Sequence, residues 1–344
     1  KISKMKHNTE LRSRIVEVHN GSSLFTGDAG QGESNLRRYI IENDWLEAIV
    51  ALPENMFYNT GIATFIWIVT NRKAAQRQGK VQLIDATSMK SPLRKNLGNK
   101  NCELTTEIRT DITKLLIDFK ETEQSKIFDN KEFGYSKITV ERPLRLSVDL
   151  SQAHLEEFEV VCRAADDMPV MRLLEEVAKQ FNYSKVLDFN AFEKVLDKAA
   201  DKLNMKLPAK RMNFIKNQFA EVDESAEKII KKIHKAGKAE ANPLHGLYET
   251  DQGIVEYEPD TNLRDTEQIP LLHEGGIQAF FRDEVLTFAP DAWIDSSKTQ
   301  IGYEISFTKY FYKPVKLRTL HEIVKDIKTL EAETEGLLNE IIGG

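Results

Sequence analysis

The chain has 344 residues, 41% of them apolar and 30% charged, with a net charge of −6. This is a globular rather than disordered balance, enough for two domains at about 150 residues each. No apolar run approaches the ~20 residues of a membrane-crossing helix, and residues 1–14 lack a signal-peptide core, so a cytoplasmic location is expected, with no membrane contact. Two cysteines and seven histidines without paired spacing exclude a disulfide framework and give no metal site, and the acidic balance argues against a stand-alone nucleic-acid binder.

The opening Lys1-Ile2-Ser3-Lys4-Met5-Lys6 has no initiator methionine and reads as the end of a helix, as in a chain cut from a longer protein. Residues 14–19 (Arg-Ile-Val-Glu-Val-His) predict a strand, ended by the turn signal Asn20-Gly21-Ser22-Ser23. A glycine-rich loop, Gly27 to Gly32, leads into a helix over 34–43. Two buried-type strands follow at 46–52, stopped by Pro53, and at 62–70, then a short one at 81–85. Strand, helix and strand in such close succession predict an α/β sheet covered on both faces.

Residues 89–100 carry Lys90, Arg94, Lys95 and Lys100 with no acid and predict a basic loop. Ile108, Ile112, Leu115, Leu116 and Phe119 have helical spacing, and Ile138 with Val140 predict another strand. From about residue 150 the pattern turns helical, over 155–165, 171–181 and 192–203, the last with Asn190 and Glu193 in capping-box positions. Residues 226–236 predict a further helix capped by Gly237. Pro243, Pro259, Pro270 and Pro290 break the next stretch into loops and short elements. From Leu317 to Ile342 a last helix is predicted, lined by Leu320, Val324, Ile327, Leu330, Leu337 and Ile341.

Four features invite chemistry. The Gly27, Gly30, Gly32 spacing matches neither GxGxxG nor a P-loop, and Asp28 and Glu33 would repel a phosphate, so a tight strand-to-helix loop is expected. Asn242-Pro243-Leu244 lacks the second proline and aromatic of an amino-methyltransferase motif and reads as a turn. In the segment 52–62, Phe57 and Tyr58 sit in a loop between two buried strands. Aromatic faces at strand ends can stack on an extruded base, or simply plug the sheet edge. The apolar stripe of the last helix can pack on its own domain or join a partner's helix.

Several blocks together resemble the modification (M) subunit of type I restriction–modification systems, an adenine-N6 DNA methyltransferase family. They are residues 20–27 with 30–34, 51–64, 138–144, 290–295, and 302–305 with 307–308 and 311–313. The resemblance implies a partial Rossmann-like S-adenosylmethionine methyltransferase sheet followed by a mainly helical C-terminal region. Residues 1–150 would be the C-terminal half of the methyltransferase domain, 151–314 a helical and loop region, and 315–344 a docking helix. The family's cofactor-binding glycine motif and catalytic Asn-Pro-Pro-aromatic motif are absent from these residues. No catalytic or cofactor-binding residue is therefore assigned, and S-adenosylmethionine is expected in the complete enzyme but not on this fragment, which is expected to be inactive alone.

By position, the resemblance makes Phe57 the aromatic that stacks on the target adenine, with Tyr58 second and Asn59, Thr60 and Gly61 as the pocket loop. Lys90, Arg94 and Lys95 become phosphate contacts on double-stranded DNA, or plain solvated surface. Leu320, Val324, Ile327 and Leu330 become the face that docks a specificity subunit, in an assembly with a restriction subunit and a second M subunit. The alternative is a non-catalytic assembly or DNA-clamping module.

Overall fold

The computed structural model describes residues 1–10, 12–235, 237–312 and 318–342, the last stretch with side chains as far as 334. Strand β1 (Arg14–Asn20) leads through a one-turn helix α1 (Ser22–Phe25) to α2 (Gly32–Glu42). Strands β2 (Leu46–Leu52), β3 (Thr64–Thr70) and β4 (Lys80–Asp85) follow. A hairpin, β5 (Ser91–Leu97) and β6 (Lys100–Glu103), then helix α3 (Thr106–Asp118) and β7 (Ser125–Asp129) complete the first unit. Its sheet order is β1-β3-β2-β4-β7. Strand β3 lies antiparallel between β1 and β2, and β2 pairs in parallel with β4. Strands β1, β2 and β4 therefore point the same way, and their carboxyl ends share one edge of the sheet.

Every residue of β2 is buried, as expected for an apolar run covered on both faces. Alternation sends Ile49 and Ala51 to the α2 side with Ile40, Ile41, Trp67 and Leu83. Ala48, Val50 and Leu52 go to the other side with Ile68 and Ile84, under Ile112, Leu115 and Leu116 of α3. That cover stops short of the edge strand: Val16 and Val18, opposite Ile68 and Ile66, are 59% and 51% exposed.

Next come β8 (Gly134–Glu141), β9 (Leu146–Asp149), helices α4 (Gln152–Ala164) and α5 (Met168–Gln180), β10 (Lys185–Val186), and helices α6 (Phe189–Lys202) and α7 (Ala209–Gln218). Their apolar faces close on one core that includes Phe158, Leu173, Phe189, Phe192 and Phe219. The cap of α6 is Asp188, which accepts from the Ala191 N–H, so the Asn190/Glu193 capping box is corrected. Asn190 instead grips a later segment: its Nδ2 donates to the Lys228 carbonyl at 2.9 Å and its Oδ1 accepts from the Ile230 N–H at 2.8 Å.

Between α7 and the last helix the chain runs mainly through short strands and loops, in the stretch expected as a helical and loop region. β11 (Ala220–Val222) pairs with β9. β12 (Ile230–Ile233) lies within the segment predicted as helix over 226–236, whose described residues are strand, turn and loop and whose last residue lies outside the described residues. The reason is tertiary: Ile229, Ile230 and Ile233 suit a helical stripe, but the Ile229 and Ile230 N–H groups are taken by the Leu144 carbonyl and by Asn190. β13 (Tyr248–Thr250) and β14 (Gly253–Tyr257) complete a small sheet with β12.

β15 (Asp265–Pro270), helix α8 (Gly276–Phe280), β16 (Trp293–Ile294) and β17 (Gln300–Tyr303) then return to β8. β15 lies along one side of it, β16 and β17 along the other. Tyr303, Ile305 and Phe307, the last opening helix α9 (Phe307–Phe311), enter the core of the first sheet. Helix α10 (Leu320–Ile342) follows, and its side chains from Leu320 to residue 334 are all exposed. Leu317 of the predicted helix lies outside the described residues, as do the side chains of Leu337 and Ile341. Among the described residues no helix is long and apolar enough to cross a membrane.

Candidate nucleic-acid interface

Two loops leave the shared carboxyl edge from neighbouring strands. β2 and β4 are parallel, with Ala51 opposite Asp85, so the segments that follow them start side by side. The first turns at Pro53 through Asn55, in the left-handed region at φ +58°, which asparagine tolerates well. It then closes a tight turn with a Phe57–Thr60 bridge that puts Tyr58 and Asn59 at the corners. Phe57 is 37% exposed and Tyr58 58%.

The second segment begins at Asp85, whose carboxylate accepts from the N–H and hydroxyl of Thr87, and becomes the β5–β6 hairpin. The hairpin tip rests on the aromatic loop. The Asn99 N–H donates to the Tyr58 carbonyl at 2.9 Å and the Asn101 N–H to the Asn55 carbonyl at 3.1 Å. The Cys102 thiol donates to the Glu54 carbonyl at 3.3 Å, and Lys100 Nζ stands 5.3 Å from the centroid of the Tyr58 ring. Gly98, at φ +64°, makes the turn, and a Cβ there would come 2.6 Å from the Tyr58 carbonyl oxygen, so only glycine permits this approach.

The cations of the hairpin's outer side face water: Arg94 and Lys95, with Lys90 just before the first strand, are exposed, and none of them makes an ion pair with the described residues. The structure thus brings together two groups of residues that the sequence singled out separately. Phe57, Tyr58, Asn59, Thr60 and Gly61 form one loop, and Arg94 and Lys95 extend from the hairpin docked on it, with Lys90 just before its first strand. Leu320, Val324, Ile327 and Leu330 belong elsewhere, exposed on α10. Sequence reasoning missed the tip contacts of Asn99, Asn101 and Cys102 and the Lys100–Tyr58 pairing. The Gly98-Asn99 turn pair between two short runs was the available signal.

The glycine-rich loop serves structure. Asp28 Oδ2 accepts from Lys137 Nζ at 2.5 Å and its Oδ1 from the Ala29 N–H at 2.8 Å. Gly30 sits at φ +76° where a Cβ would come 2.7 Å from Gln300 Oε1. The hydrogen bond from Lys137 holds the Asp28 carboxyl below its ordinary value. A group depressed in the folded state stabilises fully above its unfolded pKa, about 3.9 for aspartate, and loses that contribution as pH falls through the folded value. An Asp28→Asn protein is therefore expected to show a shallower acid limb in Tm, the gap to wild type closing below about pH 4. Two parallel curves would refute the tie. Asn242-Pro243 opens a single turn, closed by Asn242–Leu247 backbone pairing, as expected.

Arg37 secures the other side of the first sheet. It is 3% exposed, and donates through Nε to the Tyr303 carbonyl at 2.6 Å and through an Nη to the Ser23 carbonyl at 3.1 Å. Burial lowers its pKa, with Glu304 opposing the shift.

At the shared edge, the exposed aromatics offer faces for stacking and the cations offer charge for phosphates. Asp85, the carboxylate at the end of β4, commits one oxygen, Oδ1, to the N–H and hydroxyl of Thr87.

Residues 4–140 match the N-6 DNA Methylase family. The type I restriction enzyme MjaIX methylase subunit of Methanocaldococcus jannaschii is 32% identical over 111 residues, which are 32% of this chain and 19% of that protein. The MjaVIII methylase subunit of the same organism is 30% identical over 173 residues, 44% of this chain and 28% of that protein. The chain thus spans well under a third of the length of these curated relatives. A crystal structure of the type I restriction-modification methyltransferase subunit from Streptococcus thermophilus aligns at 23% identity with a TM-score of 0.30. That alignment covers 35% of this chain and 24% of that one.

Proposed function

With residues 4–140 matching the N-6 DNA methylase family, and with methylase subunits of type I restriction enzymes among the similar proteins, we propose that the chain is the base- and backbone-contacting part of a DNA adenine-N6 methyltransferase subunit. The observation that carries this reading is the docking of a basic hairpin on an exposed aromatic loop at the carboxyl edge of the sheet. An adenine rotated out of the duplex stacks on Phe57, with Tyr58 beside it and Asn59, Thr60 and Gly61 as the rim. Lys90, Arg94 and Lys95 neutralise phosphates flanking the extruded nucleotide.

In the complete protein S-adenosylmethionine supplies the methyl group. The residues of this chain bind and orient the base, and the groups that hold the donor and accept from the amino group are supplied by the rest of the subunit. A specificity subunit reads the DNA sequence and docks on α10 through Leu320, Val324, Ile327 and Leu330. A restriction subunit and a second methylase subunit complete the assembly.

A second reading is a non-catalytic module that clamps DNA or holds the assembly, favoured by the exposed apolar stripe of α10. The two are separated by incubating the full-length subunit, assembled with its specificity subunit, with duplex DNA and S-adenosylmethionine, then digesting the DNA and identifying the methylated nucleoside by mass spectrometry. N6-methyladenine is the expected product. Methylcytosine would exclude the first reading, and DNA that is bound but unmethylated would favour the second.

A further inference from the structure

We infer that the tip of the β5–β6 hairpin, through Lys100, is a positioning device for the aromatic loop, and that the hairpin divides its cations between two tasks. Arg94 and Lys95 grip the backbone, while Lys100 holds the Tyr58 ring so that the neighbouring Phe57 meets the base. This rests on the reading of Phe57 as base-facing.

Three observations carry it. First, the loop owes its shape to the hairpin. Its internal ties are the Phe57–Thr60 bridge and an Ile62 N–H to Thr60 hydroxyl bond, whereas the carbonyls of Glu54, Asn55 and Tyr58 receive their donors from Cys102, Asn101 and Asn99. Second, Lys100 differs from the other cations. It is half-buried and lies over the Tyr58 ring at 5.3 Å, while Lys90, Arg94 and Lys95 are exposed. A lysine held by a ring is a poor partner for a phosphate and a good brace for the ring. Third, the main chains touch. The Asn99 N–H bonds the Tyr58 carbonyl at 2.9 Å, and a Cβ at Gly98 would meet that same oxygen at 2.6 Å.

The strands beneath, β2 and β4, are paired with each other, so the frame is fixed at its base and closed at its tip. The hairpin therefore holds the aromatic loop independently of the phosphates that Arg94 and Lys95 grip.

The test uses the full-length subunit with its specificity subunit and a duplex carrying 2-aminopurine at the target adenine, whose fluorescence rises when the base leaves the stack. Lys100→Gln is expected to lower the fluorescence of the bound complex about fivefold, with Kd and its salt dependence little changed. Lys100→Arg, which keeps a cation over the ring, is expected to restore the signal. The Arg94→Gln/Lys95→Gln protein is expected to do the reverse, weakening binding and lowering the slope of log K against log salt by about 2, while fluorescence per bound complex stays.

If Lys100→Gln weakened binding and lowered the salt slope, with fluorescence per complex intact, Lys100 would be one more phosphate contact and the positioning role would be wrong. Failure of Lys100→Arg to rescue would also overturn it. Phe57→Ala separates this from the underlying reading. Signal lost in Phe57→Ala and kept in Lys100→Gln defeats the positioning role alone. Signal kept in both defeats the base-facing assignment too.

Discussion

A Phe57→Ala subunit is expected to methylate adenine about 5- to 150-fold more slowly than wild type, the kinetic equivalent of the roughly 1–3 kcal/mol of a base–aromatic stack. The effect should be functional rather than structural. Met56, the preceding residue, packs against the core formed by Val50, Leu52 and Ile84, whereas Phe57 belongs to none of the buried clusters. The main chain at Phe57 is held by its bridge to Thr60 and survives truncation of the ring. Thermal stability should therefore stay near wild type while the rate falls. Phe57→Trp, which keeps a π face, should retain most of the activity. Unchanged rates in Phe57→Ala at saturating S-adenosylmethionine would show that the ring does not meet the target base.

Arg37→Met is expected to cost about 3 kcal/mol in stability, read as a lower urea midpoint at unchanged m-value. The guanidinium is buried, and its Nε and Nη donate to the carbonyls of Tyr303 and Ser23. Methionine fills comparable space but donates nothing, so both carbonyls lose a charge-assisted bond, each worth about 1.5–3 kcal/mol, with partial recovery from relaxation and water. Ser34 gives partial insurance, since its hydroxyl accepts from the Tyr303 N–H at 3.0 Å. Trp67 reports the transition by its fluorescence, because its indole N–H donates to the Ser23 hydroxyl in the same cluster. A midpoint within error of wild type would mean that Arg37 is not what fastens residues 300–307 to the first sheet.

Strands β2, β3 and β4 of the first sheet were legible because burial on two faces writes itself as an unbroken apolar run, as in Leu46–Leu52, whereas the partly exposed edge strand β7 was not read. Helices α2 to α6 were legible from their stripes, whereas α7, with only Ile215 buried, was not read. The hairpin was not. Its strand residues Arg94, Lys95 and Asn96 face water, so no period-2 pattern marks them, and residues 89–100 read only as a basic loop. Residues 226–236 misled because Ile229, Ile230 and Ile233 suit a helix and a strand equally, and a partner 40 positions away, Asn190, decides between them.

The same limit governs the site. The aromatic loop and the basic segment could each be found by inspection. Their contact depends on β2 and β4 being parallel neighbours, and a chain's local pattern does not carry pairing order. The pairings of β15, β16 and β17 with β8 are hidden for the same reason, since their partners lie more than a hundred residues back.

The Arg37–Tyr303 bond spans 266 residues. During synthesis the amino-terminal strands emerge long before the segment that covers their α2 side, and at roughly 5–20 residues per second the delay is on the order of ten seconds or more. For that interval Trp67 and Phe65 wait for Ile305 and Phe307 with part of their apolar surface still wet. Such a nascent chain is a natural client for a ribosome-associated chaperone, and its yield should depend more on translation speed than on the stability of the finished fold.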